Sequence, residues 1–143
     1  MHVSFVCNAN VGRSQVAQVY FNQLSSHESS GAGMAVGEIN ARLHLPSNKI
    51  QDVTVQRPAD YISREFGADI SERERRQLTP KMIDEADLVV IINEKEMWPD
   101  YVKERDKVVF WDIKDGAGRT NEATFDIFAK VRERVEELVK EIG

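Results

Sequence analysis

One cysteine and one arginine near the N-terminus have the spacing of an anion-binding catalytic loop. Cys7 is the chain's single cysteine, and Arg13 follows it after five residues, with Ser14 next. An apolar run precedes Cys7 and a run with helical periodicity follows Arg13, so a strand turns into a helix here. Backbone N–H groups and a helix N-terminus attract an oxyanion at such a turn, and a guanidinium offers a planar fork for two oxygens. These groups also favour a thiolate, so the segment predicts a nucleophile held against a phosphate-sized anion.

Short apolar runs predict the strands that place this segment. Residues 2 to 7, 88 to 92 and 107 to 111 are largely apolar, which is typical of strands buried on both faces. Residues 25 to 33 are predicted to form a loop, because their serines and glycines leave little to bury, and a short strand is predicted around residues 34 to 36.

Apolar periodicity and end signals predict the helices. Thr79 before a proline is typical of a helix start, Gly67 is typical of a helix end, and Asn93 opens a capping-box pattern. Residues 37 to 56 show little pattern and are interpreted as a long excursion with some local structure. Helices are predicted over residues 13 to 26, 57 to 66, 80 to 86, 93 to 102 and 121 to 142.

The alternation of strands and helices predicts the architecture. We expect an α/β fold, a three-layer αβα sandwich with a four-stranded parallel sheet and helices on both faces. Ligands bind beyond the carboxyl ends of the strands in such sheets. The pattern therefore places Cys7, Asn93 and residues 112 to 115 along the same edge of the sheet.

Length, composition and charge narrow the function classes. The 143 residues are predicted to form one domain, residues 1 to 143, and 41% apolar with 30% charged residues is ordinary for a globular protein. The net charge of −5 argues against a general nucleic-acid binder. The cluster of Arg73, Arg75 and Arg76 is too small to reverse this charge and is typical of a solvated face, although contact with a phosphorylated partner stays open.

Cysteine usage and hydropathy predict the compartment. A lone cysteine forms no internal disulfide, and the first residues lack the pattern of a signal peptide, so we expect a reducing cytoplasm. The longest apolar runs are far shorter than the ~20 residues of a membrane span. The three histidines show no ligand spacing, so neither a metal nor a cofactor is expected, and the oligomeric state is left open.

Several motifs together resemble one family. They are the segment from Cys7 to Ser14 after a strand, Ala86-Asp87 before an apolar run, and Trp111-Asp112-Ile113-Lys114-Asp115. With these motifs the chain resembles the low-molecular-weight protein tyrosine phosphatases, to which thioredoxin-coupled arsenate reductases are related in fold. The resemblance implies hydrolysis of phosphomonoesters, with protein tyrosine phosphate as the expected substrate, through a phosphocysteine intermediate.

The resemblance also implies a role for individual residues. Cys7 is expected to be the nucleophile, Arg13 to bind the phosphate, and Asp115 to be the general acid and base, with Asp112 as the alternative acid. Ser14 is expected to hydrogen-bond the thiolate, and Asn10 to hold the shape of the loop. The expected substrate-binding residues are Asn8, Ala9, Asn10, Val11, Gly12 and Ser14.

Two alternative functions stay open at this point. The same loop can take arsenate, but with a single cysteine an arsenate reductase needs an external thiol. A phosphate-binding module or a phosphocysteine carrier, which does not hydrolyse its ligand, can use such a loop too. The expected partner is a phosphorylated protein or a small phosphomonoester, with no nucleic acid and no membrane.

Overall fold

Four parallel strands form a sheet at the centre of the protein. The computed structural model describes residues 1–53, 56–103, 105–114 and 120–143. The strands are β1 (His2–Cys7), β2 (Glu28–Gly33), β3 (Leu88–Ile91) and β4 (Val108–Phe110). Their order across the sheet is β2-β1-β3-β4, and every neighbouring pair is parallel.

Six α-helices surround this sheet in the described residues. They are α1 (Arg13–Leu24), α2 (Val36–Leu43), α3 (Arg57–Phe66), α4 (Pro80–Glu85), α5 (Asp100–Lys103) and α6 (Asn121–Ile142). Short 3-10 turns lie at Ile50–Asp52 and Lys95–Met97. In these parts of the chain, no helix combines the length and the apolar character needed to cross a membrane.

Alternating side chains of the strands build one apolar core on each face of the sheet. Phe5 and Val90 pack into a cluster with α1, α3 and α6. Val6 and Ile91, one residue further along, pack into a second cluster with α4 and α5. Because successive strand residues point to opposite faces, this pattern requires both faces to be covered. The predicted three-layer α/β architecture is confirmed.

The end signals read from the sequence locate two helices correctly. Gly67 follows α3 with a φ of 67°, and its N–H donates to Ser63 O at 3.0 Å, so it ends the helix in the left-handed conformation that glycine adopts freely. Thr79 precedes α4, and its hydroxyl oxygen accepts a hydrogen bond from Met82 N.

The prediction for the second strand is wrong. Residues 28 to 33, predicted as a loop, form β2, whereas the strand predicted around residues 34 to 36 is absent and α2 begins at Val36. β2 pairs with β1 from His2↔Glu28 to Cys7↔Gly33. Its small side chains bury little, so backbone pairing with β1 creates the strand, and no apolar pattern signals it.

Two further stretches differ from expectation. The excursion over residues 37 to 56 contains most of α2. The helix expected over residues 93 to 102 is reduced to a 3-10 turn and the four residues of α5. Asn93 does not cap a helix there; it is fully buried and its amide donates to Met34 Sδ at 3.2 Å. Pro99 lacks the N–H that a continuous helix needs at that point.

The arginine cluster is not a uniformly solvated face. Arg75 is fully buried. Its backbone N–H donates to Asn48 O at 2.8 Å, and its guanidinium donates to Asn40 Oδ1. Burial lowers the pKa of Arg75, and the charge of Asp52 opposes this effect. For Arg75 the expectation of a solvated face is therefore wrong.

Candidate active site

The Cys7 loop, residues 7–14, joins the end of β1 to the first turn of α1. Cys7 is the last residue of β1, and Arg13 is the first residue of α1. Both side chains are buried, with 3% and 4% of their surface exposed. The first turn of α1 contains no acidic residue, so nothing in that turn opposes an anion at the helix N-terminus.

Hydrogen bonds among the side chains hold the thiol in place. Cys7 Sγ lies 3.0 Å from Ser14 Oγ, and Ser14 Oγ donates to Asn10 Oδ1 at 2.7 Å. Gln15 Nε2 donates to Asn10 O at 2.9 Å and to Asn10 Oδ1 at 3.1 Å. A hydroxyl carries a single proton, so Ser14 donates to Asn10 beside a thiol and is able to turn its proton to the sulfur of a thiolate.

Asn10 determines the shape of the loop. Its φ is 55°, in the left-handed region, and only 1% of its surface is exposed. Asparagine enters this region more readily than most residues, because its short polar side chain forms local hydrogen bonds. The bonds from Ser14 and Gln15 supply that stabilisation here. The sequence-based expectation placed Asn10 and Ser14 in the loop's support, and the structure brings both beside Cys7.

The backbone of the loop directs amide groups away from the surrounding chain. Cys7 O accepts from Met34 N and Asn8 O accepts from Ala35 N, both at 2.9 Å, while Gly12 O accepts from Val16 N at 3.0 Å. The N–H of a trans peptide points opposite to its C=O. The N–H groups of the next residues, Asn8, Ala9 and Arg13, therefore point away from residues 34–35 and out of the start of α1. Such amides are free to bind an oxyanion.

The guanidinium of Arg13 is anchored through one nitrogen. Nη1 donates to Ile92 O at 2.6 Å and to Ile113 O at 2.8 Å, and it lies 3.7 Å from Glu94 Oε1. These carbonyls follow β3 and β4, so two neighbouring strands orient the fork at the carboxyl edge of the sheet. In the described residues neither Nε nor Nη2 of Arg13 makes a hydrogen bond, so these two nitrogens can donate to two oxygens of a bound anion.

Two residues that contact the loop or Arg13 from elsewhere in the chain, Glu94 and Gly33, were not predicted from the sequence. Glu94 has no motif of its own; its position just after a buried strand was the available signal. Gly33, the last residue of β2, was hidden in the expected loop. A Cβ atom on Gly33 would lie 2.8 Å from Asn10 N, Asn8 O and Val36 Cγ2. Glycine is required there because the strand end touches the loop backbone.

The two expected acids differ in what the structure shows. Asp112 is exposed and lies in the stretch after β4 in which Ile113 O accepts from Arg13. Asp115 lies outside the described residues, so its role stays a prediction. Within the described parts of the chain, no group of three or more histidine, cysteine, aspartate or glutamate side chains has the arrangement of a metal site.

Comparisons with known proteins give matches among solved structures. No protein-family model matches the sequence. No curated protein matches it either. Wzb from Vibrio vulnificus, solved in complex with benzylphosphonate, has a TM-score of 0.79 at 20% identity, covering 98% of this chain and 97% of the other. A low-molecular-weight protein tyrosine phosphatase from T. tengcongensis has a TM-score of 0.76 at 21% identity, covering 99% of both chains.

An arsenate reductase in its oxidized state also matches. Its TM-score is 0.71 at 22% identity, with coverage of 99% of this chain and 98% of the other. All three sequence identities are below 25%, so the comparisons establish the fold alone. The protein has the fold of the low-molecular-weight tyrosine phosphatases, which an arsenate reductase shares, as the motifs predicted.

Proposed function

We propose that this protein is a phosphatase that hydrolyses phosphomonoesters through a phosphocysteine intermediate on Cys7. The observation that carries the proposal is the position of Cys7 Sγ, 3.0 Å from the hydroxyl of Ser14 in the first turn of α1. The same turn contains Arg13, whose Nε and Nη2 make no hydrogen bond in the described residues. A thiolate, a positively polarised helix end and a planar cation are the parts that phosphoryl transfer to sulfur requires. The solved tyrosine phosphatases of the same fold support this choice of reaction.

In the first step Cys7 Sγ attacks phosphorus. An S–P bond forms as the P–O bond to the leaving alcohol or phenol breaks, and the electron pair of that bond leaves with the oxygen. The Arg13 fork and the N–H groups of Asn8, Ala9 and Arg13 stabilise the charge on the three remaining oxygens. Val11, Gly12 and the supporting pair of Asn10 and Ser14 complete the wall around the phosphoryl group.

A carboxyl group is proposed to handle the protons. Asp115 donates a proton to the leaving oxygen in the first step. In the second step the same group takes a proton from water as the water oxygen attacks phosphorus; the S–P bond breaks, its electron pair restores the Cys7 thiolate, and phosphate is released. Asp115 follows Ile113 by two residues, and the carbonyl of Ile113 already contacts Arg13. Asp112, exposed in the same stretch, is the alternative acid.

The proposed substrate is tyrosine phosphate on a protein, or a small phosphomonoester. Solved structures of this fold include tyrosine phosphatases from Escherichia coli K30 and from Erwinia amylovora, which support an aryl phosphate. Another of them is described as the arginine phosphatase YwlE, so a phosphorylated arginine peptide belongs in the same screen. We further propose a cytoplasmic location, where a lone catalytic thiol stays reduced.

Turnover of p-nitrophenyl phosphate between pH 5 and 8 tests the reaction. We expect the wild type to release phenolate and Cys7→Ser to show no detectable turnover. Arg13→Lys is the second variant, because lysine keeps the charge but lacks the fork, so we expect kcat/KM to fall by about 100-fold. Asp115→Asn and Asp112→Asn separate the two candidate acids. Turnover that is equal in the wild type and Cys7→Ser would overturn the proposal.

Arsenate reduction is the second candidate, since an arsenate reductase shares the fold. The chain has one cysteine, so two external thiols would be needed for each arsenate. The first attacks Cys7 Sγ, so that the S–As bond breaks, arsenite leaves and a mixed disulfide with Cys7 forms; the second attacks this disulfide and restores the Cys7 thiol, and the two external thiols end as a disulfide. Arsenate-dependent consumption of added glutathione, measured beside phosphate-ester hydrolysis, distinguishes the two reactions.

A further inference from the structure

A polar cavity of about 340 Å³ lies behind the Cys7 loop. We call it the rear cavity: it is bounded by Gln15 and Gln18 of α1, by residues 29–31 of β2, and by residues 73, 74 and 76. Asn10 also contributes to its wall, so the cavity meets the loop from the side of β2. Its volume lies in the range of small-molecule sites.

The rear cavity contains a cation that has no anionic partner in the described part of the chain. Arg73 is half-buried, and this burial lowers the pKa of its guanidinium. Its Nη1 donates to the neutral amide oxygens of Gln15 at 3.1 Å and Gln18 at 3.4 Å. In the described residues no carboxylate lies within ion-pair distance of Arg73 or of Arg76, which is exposed. Glu74 is the single acid of the lining, so the lining carries a net positive charge.

The free edge of β2 adds backbone donors to this wall. Glu28 N donates to Met1 O and Met34 N donates to Cys7 O, at the two ends of β1, whereas Gly33 N points the other way and donates to Arg76 O at 2.8 Å. Alternate residues of a strand direct their N–H groups to the same side, so Ser29 N and Gly31 N point to this outer edge. The outer edge borders the rear cavity at residues 29–31.

We propose that the rear cavity is a second anion site, which binds a small oxyanion of the phosphate type. A guanidinium offers two parallel N–H donors to such an anion, and Arg73 has donors beyond the one that contacts the glutamines. Arg76 supplies a second positive charge, and the amides of β2 complete the set of donors. An inorganic phosphate ion and the phosphoryl group of a small metabolite present this same chemistry.

A chain of hydrogen bonds connects the rear cavity to the thiol. Arg73 contacts Gln15, Gln15 contacts Asn10, and Asn10 accepts from Ser14, which lies 3.0 Å from Cys7 Sγ. When an anion draws Arg73 away from Gln15 Oε1, the amide of Gln15 is less polarised, so its Nε2–H becomes a weaker donor to Asn10. Asn10 Oδ1 then accepts the Ser14 hydroxyl proton more strongly, and Ser14 donates that proton less readily to a Cys7 thiolate. Occupancy of the rear cavity therefore opposes catalysis at Cys7, a consequence that rests on the proposed function.

Titration with inorganic phosphate, followed by amide NMR shifts, tests the binding site itself. We expect the wild type to show saturating shifts at Gln18 and at residues 29–31, separate from those at residues 8–14. In the double variant Arg73→Gln/Arg76→Gln, the phosphate affinity measured from the shifts at Gln18 and residues 29–31 should fall at least about tenfold. The shifts at residues 8–14 should remain, which shows that the protein is folded. Arg134→Gln, which removes an exposed charge of α6, is the matched control and should behave as the wild type does.

The outcomes separate this site from the catalytic proposal. The rear site is overturned if phosphate shifts no amide signal at residues 29–31, or if the shifts there are unchanged in the double variant. Either result has this meaning independently of the shifts at residues 8–14. Shifts at residues 29–31 with a silent loop support the rear site and count against the proposed phosphatase. Glucose 6-phosphate as a second probe tests the metabolite source: tighter binding than phosphate at residues 29–31 assigns the site to a phosphorylated metabolite, and weaker binding assigns it to the free ion.

Discussion

Substitution of Gly33 by alanine is the sharpest structural test of how the Cys7 loop is supported. A Cβ atom there lies 2.8 Å from Asn10 N, from Asn8 O and from Val36 Cγ2, and two of these three atoms are backbone. To reach ordinary contact at 3.4 Å, the strand end and the loop must separate by about 0.6 Å. The strand end has nowhere to move, because on its other side Gly33 N donates to Arg76 O and Gly33 O accepts from Leu78 N, both at 2.8 Å.

The expected magnitude follows from this geometry. Overpacking of a rigid site costs about 1–3 kcal/mol, so we expect the free energy of unfolding of Gly33→Ala to fall by that amount. Loop residues displaced by half an ångström or more lose their alignment with the substrate, and we expect kcat for p-nitrophenyl phosphate to fall by about tenfold or more. Urea denaturation followed by circular dichroism gives the stability, and initial rates on the folded protein give kcat.

Gly37→Ala is the matched control for this substitution. Gly37 lies in α2, and its added Cβ would meet only Gln77 Oε1, at 4.0 Å. Alanine is the better helix former, so this variant should gain about 0.4–1 kcal/mol of stability and keep its activity. If Gly33→Ala matched Gly37→Ala in both measurements, the close packing of β2 against the loop would be refuted as the reason for glycine.

Three further substitutions test separate parts of the account. Ser14→Ala removes the hydroxyl beside Cys7, and we expect kcat to fall about 10–100-fold with little change in KM; an unchanged kcat would contradict the contact's role. Glu94→Gln removes a carboxylate that competes with phosphate for Arg13, so KM should fall by up to about fivefold in steady-state assays, and a rise would count against this competition. Gly67→Ala forces a side chain into the left-handed conformation that ends α3, and urea titration should show a loss of about 1–2 kcal/mol, whereas unchanged stability would exclude strain at this position.

Local chemistry made the Cys7 loop predictable from the sequence. The loop is eight consecutive residues, and its shape depends on neighbours such as Asn10 and Ser14. Long apolar stripes predicted α6 with its observed bounds for the same reason, since a helix is defined by its own periodicity.

Contacts between distant residues were the part that the sequence did not reveal. The partners of Arg13 are carbonyls 79 and 100 residues away, and any residue has a carbonyl. β2 exists because β1 offers it an edge, so its serines and glycines carry no apolar signal of a strand. The sequence contains Gly31 and Gly33, but it does not show why glycine is needed at these positions. The reason is the close approach of side-chain and backbone atoms that an added Cβ would meet in the folded protein.

The central claim is that Cys7 carries the phosphoryl group during turnover. Rapid acid quenching of the wild type with excess p-nitrophenyl phosphate, followed by intact-mass and peptide analysis, tests it directly. Nitrophenolate is a good leaving group, so we expect hydrolysis of the intermediate to limit the rate and the intermediate to accumulate. We predict an added mass of about 80 Da, one phosphoryl group, on the peptide that contains Cys7, and none in Cys7→Ser. Turnover with the added mass on another residue, or with no added mass at any quench time, would contradict the account.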